Sequence, residues 1–193
     1  METEELLSNF ETYSKFFKKY FPEEGASQFL EDFGVRLTTC PRGLTSKEGG
    51  KPGALIEYLM RVTLVAKQHA DVISNQDKET LDIKSLVRAS LVHEIGKVGS
   101  LSEDLYIRQE SQWHRDKLGQ NFKYNEECSK MSVSHRTLFL LQKYEISLGQ
   151  EEWLSILTSQ GMHYPENAFY GNSLPIVARV LHFAKTVVDS ENT

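Results

Sequence analysis

The sequence is poor in cysteine: Cys40 and Cys128 are its only two, far apart and outside any Cys-x-x-Cys spacing. That excludes a disulfide framework and a zinc knuckle and leaves two ordinary thiols. Long hydrophobic runs are also missing. The longest, around Leu138 to Leu141, falls far short of the ~20 apolar residues that cross a bilayer. The opening METEELLSNF is acidic and does not read as a signal peptide, so a soluble, cytoplasmic protein with no membrane partner is expected. Nor is there an excess of positive charge. The 22 Lys and Arg stand against 27 Asp and Glu, a net charge of −5. This argues against long nucleic acid as a partner, because proteins that bind a phosphate backbone concentrate basic residues to displace counterions. A local basic cluster facing a small anion stays open. Repeats and low-complexity segments are absent too. With 39% hydrophobic and 25% charged residues, a chain of 193 residues is long enough to bury a core and short enough to be one domain.

What is present is helical periodicity. From Glu4 to Tyr20 the apolar residues Leu7, Phe10, Tyr13, Phe17 and Tyr20 recur at three- and four-residue intervals, which predicts an amphipathic helix ended by Pro22. A shorter helix is expected over Ser27 to Phe33, stopped by Gly34. Thr38 to Gly53 carries two prolines and four glycines and reads as an irregular loop of a length often given to function. A long helix over Ala54 to Ile73 follows, then one capped by Asp82 that runs to about Ile95 and stops at Gly96. Val98 to Lys130 is polar, aromatic-rich and weakly periodic, an irregular insertion with at most a short hairpin and a candidate ligand lid. Helices over Ser132 to Tyr144, Gln150 to Ser159 and Pro175 to Asp189 complete the chain, the last with proline at its first position. The fold class expected is all-α, a single bundle of about five to seven helices.

The strongest local signal is Ser90-Leu91-Val92-His93-Glu94-Ile95-Gly96-Lys97-Val98, at the end of an apolar helix. A zinc-protease reading of His93-Glu94 fails because the second histidine of that motif would fall on Lys97. A phosphate-loop reading of Gly50-Lys51 fails as well, with Thr45 in place of the leading glycine and Pro52 in place of the magnesium-holding Ser or Thr. The segment instead resembles the signature of HD-domain phosphohydrolases, in which an apolar run delivers His-Asp, an apolar residue, Gly and Lys. The likeness extends to the glycine-led helix Gly49-Gly50 through Ala54-Leu55-Ile56-Glu57-Tyr58-Leu59-Met60-Arg61-Val62, to Trp113-His114-Arg115-Asp116-Lys117-Leu118-Gly119, and to Ser134-His135-Arg136-Thr137 and Glu151-Glu152-Trp153-Leu154. It closes on Leu181-His182-Phe183-Ala184-Lys185. It divides the chain into an N-terminal helical extension and loop, 1–48, and an HD-like core, 49–189.

The resemblance implies an all-α fold holding a divalent metal by two histidines and two aspartates, a donor set that polarises a phosphoryl oxygen and acidifies an attacking water. Here most of those positions are replaced. Tyr58 stands for the first histidine, Glu94 for the doublet's aspartate, Ser159 near a later histidine and Lys185 for the last aspartate, leaving His93 unchanged. Tyrosine is a poor neutral ligand and an ammonium repels a cation, so no cofactor is expected. The expected function is recognition of a nucleotide or similar phosphorylated small molecule, with metal-dependent hydrolysis lost or greatly weakened, in a sequestering or sensing role. Arg61, Lys97, Lys117 and Lys185 would supply charge for phosphates, Tyr58, Tyr106 or Trp113 a stacking face, and His114 and His135 further polar contacts. One alternative is an active phosphohydrolase in which His93 and Glu94 hold Mn, Ni, Mg or Fe. The other is a non-catalytic protein-interaction module acting through the Glu4 to Tyr20 helix. Homo-oligomers are open, and His69, His163 and His182 are read as structural or exposed.

Overall fold

A computed structural model describes residues 2–77, 80–171 and 173–191. Among them the chain forms an all-α domain with one two-stranded antiparallel sheet. The helices are α1 (Glu2–Tyr20), α2 (Glu24–Thr39), α3 (Ala54–Asp77), α4 (Ile83–Val92), α5 (Gln112–Leu118), α6 (Val133–Lys143), α7 (Gln150–Thr158), α8 (Pro165–Ala168) and α9 (Ile176–Ser190). The short α5 and α8, both outside the expected elements, raise the number above seven. No helix among the described residues is long and apolar enough to cross a membrane.

The centre of the bundle is α4, in which every residue from Leu86 to Val92 is buried. A helix buried this completely must be surrounded, and α4 packs on α3, α7, α9 and α1. One apolar cluster joins α3, α4 and α9 through Val62, Ala66, Ala89, Val177 and Leu181. The other joins α1 and α2 to the rest through the rings of Tyr13, Phe17, Phe29 and Phe33, the last three stacked in sequence. Tyr13 and Phe17 are fully buried, and the Tyr13 hydroxyl donates to the Leu91 carbonyl at 3.0 Å. Tyr13 and Phe17 are therefore core residues, with Phe10 and Tyr20 partly buried against them and Phe16 exposed.

The two glycines expected to stop helices act differently. Gly34 lies inside α2, where an added Cβ would meet Phe10 Cζ at 3.0 Å. It brings α1 and α2 close together, and burial outweighs its low helix propensity. α4 ends at Val92, before the expected Ile95, and Ile95–Val98 forms a 3₁₀ turn. A Cβ on Gly96 would sit 2.4 Å from the Val133 carbonyl oxygen, and its N–H donates to Thr137 Oγ1 at 2.9 Å. Only glycine lets this turn lie against the first turn of α6. Asp82 caps α4 as expected, accepting from the Lys84 N–H at 2.9 Å, whereas Pro175 is the N-cap of α9, one place before the first helical position.

The insertion contains β1 (Tyr106–Arg108) and β2 (Phe122–Tyr124), paired antiparallel with Tyr106 opposite Tyr124. Since α5 lies between them, they are the stem of a long excursion and not a tight hairpin.

Candidate functional site

His93 and Glu94 leave the C-terminal end of α4 into the middle of the bundle, with 0% and 3% of their surface exposed. The His93 Nδ1 lies 2.8 Å from the Ser90 carbonyl oxygen. A carbonyl only accepts, so Nδ1 carries the proton and Nε2 is left as a bare lone pair. That Nε2 is buried without a hydrogen-bond partner, 4.0 Å from Glu94 Oε1. Burial first, and Lys185 second, push the imidazole down to about 3, so it is neutral at pH 7.

Three cations surround Glu94. The Lys185 Nζ, from α9, donates to Oε1 at 2.6 Å. The Lys97 Nζ, from the 3₁₀ turn, pairs with Oε2 at 2.7 Å, and the Arg42 Nε, from the loop after α2, lies 3.9 Å from the same oxygen. Burial alone would raise the Glu94 carboxyl; Lys185 and Lys97, helped by His93 and Arg42, outweigh it and hold the group well below the usual carboxylate range. Arg42 is itself anchored by Asp189, Nη2 to Oδ1 at 2.6 Å, and its guanidinium lies 3.4 Å from the centroid of the Tyr58 ring. The Tyr58 ring stands 5.8 Å from that of His93, and Ser159 Oγ donates to the His93 carbonyl at 3.4 Å. Tyr58, His93, Glu94, Ser159 and Lys185 thus meet at one point, delivered by α3, the end of α4, the end of α7 and α9.

Above this point opens a cleft of about 490 Å³, whose charged lining is Arg42, Lys97, Lys185, Glu94 and Asp189, with Gln160, His163 and His182 beside them. The His182 Nε2 is 3.3 Å from Thr158 Oγ1, and burial, then Lys185, lowers this imidazole below its usual value. A second cavity of about 670 Å³ shares Arg42, Lys97, Gln160 and Asp189 with the first and is walled by Tyr106, Tyr124 and Tyr164. The Tyr106 and Tyr124 rings lie 5.5 Å apart across the strand pair.

These residues do not fit a divalent metal ion. A hard cation needs several free oxygen or nitrogen lone pairs and compensating negative charge. Both Glu94 oxygens already face ammonium groups, and His93 Nε2 is a single remaining donor beside three cations. No group of three or more His, Cys, Asp or Glu among the described residues is arranged to hold a metal.

Several residues expected at one site are dispersed. Tyr58 is at the centre but largely buried, one face covered by Arg42, and it lines a cavity of about 440 Å³ beside Arg42 and Arg61. Arg61 binds Glu191 through Nε at 3.1 Å and Nη2 at 2.7 Å and lines that cavity, which shares Arg42 with the two above. Trp113, His114 and Lys117 ride on α5, which buries none of its residues, and they line none of the cavities that Lys97 lines. His135 hydrogen-bonds Ser132 Oγ at 2.6 Å at the start of α6, on a groove with Phe139 and Trp153. Of the expected binding residues, Lys97, Lys185 and Tyr106 share the joined cavities.

Sequence reasoning missed Arg42, Asp189, His163 and His182 as site residues. The signal for Arg42 was its place in the Pro- and Gly-rich loop, for His182 its place in the segment Leu181 to Lys185 and for Asp189 its place at the end of the last expected helix; His163 carries no local pattern. Comparison with known proteins found no match among family models, curated proteins or solved structures.

Proposed function

We propose that this protein binds a phosphorylated small molecule, such as a nucleotide, without metal-dependent hydrolysis, and so sequesters or senses it. The observation that carries the reading is the convergence of Arg42, Lys97 and Lys185 at the floor of one cleft, where their spare N–H groups meet an anion in a partly desolvated setting. The tyrosine-walled cavity next to it offers room and stacking faces for the organic part of such a ligand. The likeness to HD-domain phosphohydrolases belongs to this proposal. It is supported by the meeting of Tyr58, His93, Glu94, Ser159 and Lys185, which that likeness picks out across 128 positions of sequence from 58 to 185. In this reading the Lys185 ammonium takes the electrostatic place of a metal ion, and the chain captures a phosphate where a hydrolase would polarise it.

Calorimetric titration with inorganic phosphate and a nucleotide panel tests the reading. Binding that is lost in Arg42→Met is expected; no binding by any ligand of the panel would sink it. Metal analysis of protein purified without chelator tests the second half. A stoichiometric transition metal that disappears in His93→Ala would overturn the metal-free reading.

A further inference from the structure

We infer that the cleft is built for a single phosphate monoester group rather than a di- or triphosphate, and that Glu94 is the residue that sets this limit. The inference rests on the anion-binding reading above and deepens it.

Arg42, Lys97 and Lys185 face the cleft together with the carboxylates of Glu94 and Asp189, leaving one positive charge uncancelled. A phosphate monoester carries about −1.5 to −2 near pH 7. Seated here it leaves the floor at most about one negative charge in excess, while each further phosphate adds charge that nothing on the lining matches, and uncompensated charge is costly away from bulk water. The remaining polar lining, Gln160, His163 and His182, supplies N–H donors that suit a phosphoryl oxygen. The limit lies in the buried carboxylate and not in a shortage of lysines. Glu94 consumes one N–H of Lys185 and pairs with Lys97, and only 4% of its side chain is exposed, so solvent does not screen it. It is an internal anion occupying part of a site that would otherwise hold a more highly charged ligand. By orienting both ammonium groups while cancelling their charge, it acts as a positioning and specificity-determining residue.

The test compares inorganic phosphate, pyrophosphate and tripolyphosphate by calorimetry at low salt, where a simple basic patch binds more tightly with every added phosphate. For the wild-type protein, phosphate is expected to bind at least as tightly as pyrophosphate, and tripolyphosphate more weakly than either. Glu94→Gln keeps the side-chain shape and removes the charge, and is expected to shift the pyrophosphate-to-phosphate affinity ratio at least tenfold toward pyrophosphate. Asp189→Asn, at the rim with 44% of the side chain exposed, should shift the ratio the same way by less and serves if Glu94→Gln does not fold. Wild-type affinity that climbs with phosphate number, or a ratio unchanged in a folded Glu94→Gln protein, overturns the limit while leaving anion binding standing. No binding of any of the three overturns both.

Discussion

Replacing Lys185 by methionine removes an ammonium from a carboxylate that has almost no access to water. The Glu94 side chain is 4% exposed and that of Lys185 12%, so solvent screening does little to soften the loss. Removing one partner of a buried ion pair costs about 3–5 kcal/mol, because the other is left uncompensated. Here Lys97 stays on the second oxygen at 2.7 Å and Arg42 lies 3.9 Å away, which places the expected loss at the lower end, about 3 kcal/mol. That is roughly a hundredfold in the folding equilibrium and a large part of the ~5–15 kcal/mol a domain has available. Urea unfolding followed by circular dichroism measures it. In the double variant Lys185→Met/Glu94→Gln the almost fully buried carboxylate is no longer charged, and the Lys97 ammonium that loses it is the more exposed partner, 14% against 4%, so the double variant is expected to be more stable than Lys185→Met alone. The pH dependence has a fixed sign. The Glu94 carboxyl is held below its ordinary value of 4.5, so the contribution of the pair is fully present above about pH 4.5 and is lost as pH falls through the depressed folded value. The stability gap between wild type and Lys185→Met should therefore be constant from pH 8 to 5 and close only in more acid solution. A loss below about 1 kcal/mol, or a double variant no more stable than the single, would refute the account of Lys185 as an obligatory counterion.

The buried His93, lowered to about 3, should show no imidazole titration by NMR between pH 8 and 5. Because the unfolded chain takes up that proton near 6.5, His93 destabilises the fold by up to about 1.4 kcal/mol per pH unit as pH falls from 6.5 toward 3, and a normal titration near 6.5 would contradict its burial. Gly96→Ala forces α6 away from a Cβ that would sit 2.4 Å from the Val133 oxygen, for a loss of about 2 kcal/mol in urea unfolding; an unchanged midpoint would refute that packing. Arg88→Met strands Glu152, whose side chain is 5% exposed and 2.9 Å from Arg88 Nε, and leaves the Tyr20 and Ser147 carbonyls without their donor. A loss of about 3–5 kcal/mol is expected. Arg88→Lys should recover only part of it, since a single ammonium cannot reach three acceptors in the plane of a guanidinium.

Strong periodicity made α1, α3, α6, α7 and α9 legible in the sequence, and the Asp82 cap marked the start of α4. Gly34 and Gly96 misled because a glycine that ends a helix and one that admits a neighbouring element look the same in one dimension; the ring of Phe10 and the first turn of α6 decided between them. The dispersal of Trp113, His114, Lys117 and His135 has the same origin. Each has suitable chemistry, but which face of the bundle receives α5 or the first turn of α6 is set by tertiary packing. Within the site, the pairing of His93-Glu94 with Lys185 was reachable because local motifs marked both ends. Arg42 and Asp189 were not, since their ion pair joins residues 147 positions apart and only Asp189, near the end of α9, lies on a periodic segment.

Arg42 stands at the edge of a loop that is sewn to the insertion. The Asn121 and Phe122 N–H groups both donate to the Leu44 carbonyl, Ser46 N–H donates to Gly119, the Asn121 amide reaches Gly50, and Thr45 bridges to Gln120. Two segments some seventy residues apart are thus tied into one layer that starts where Arg42 enters the cleft and carries the exposed α5. The loop that carries Arg42 and the insertion that carries α5 share these hydrogen bonds, so a substitution that loosens one removes partners from the other.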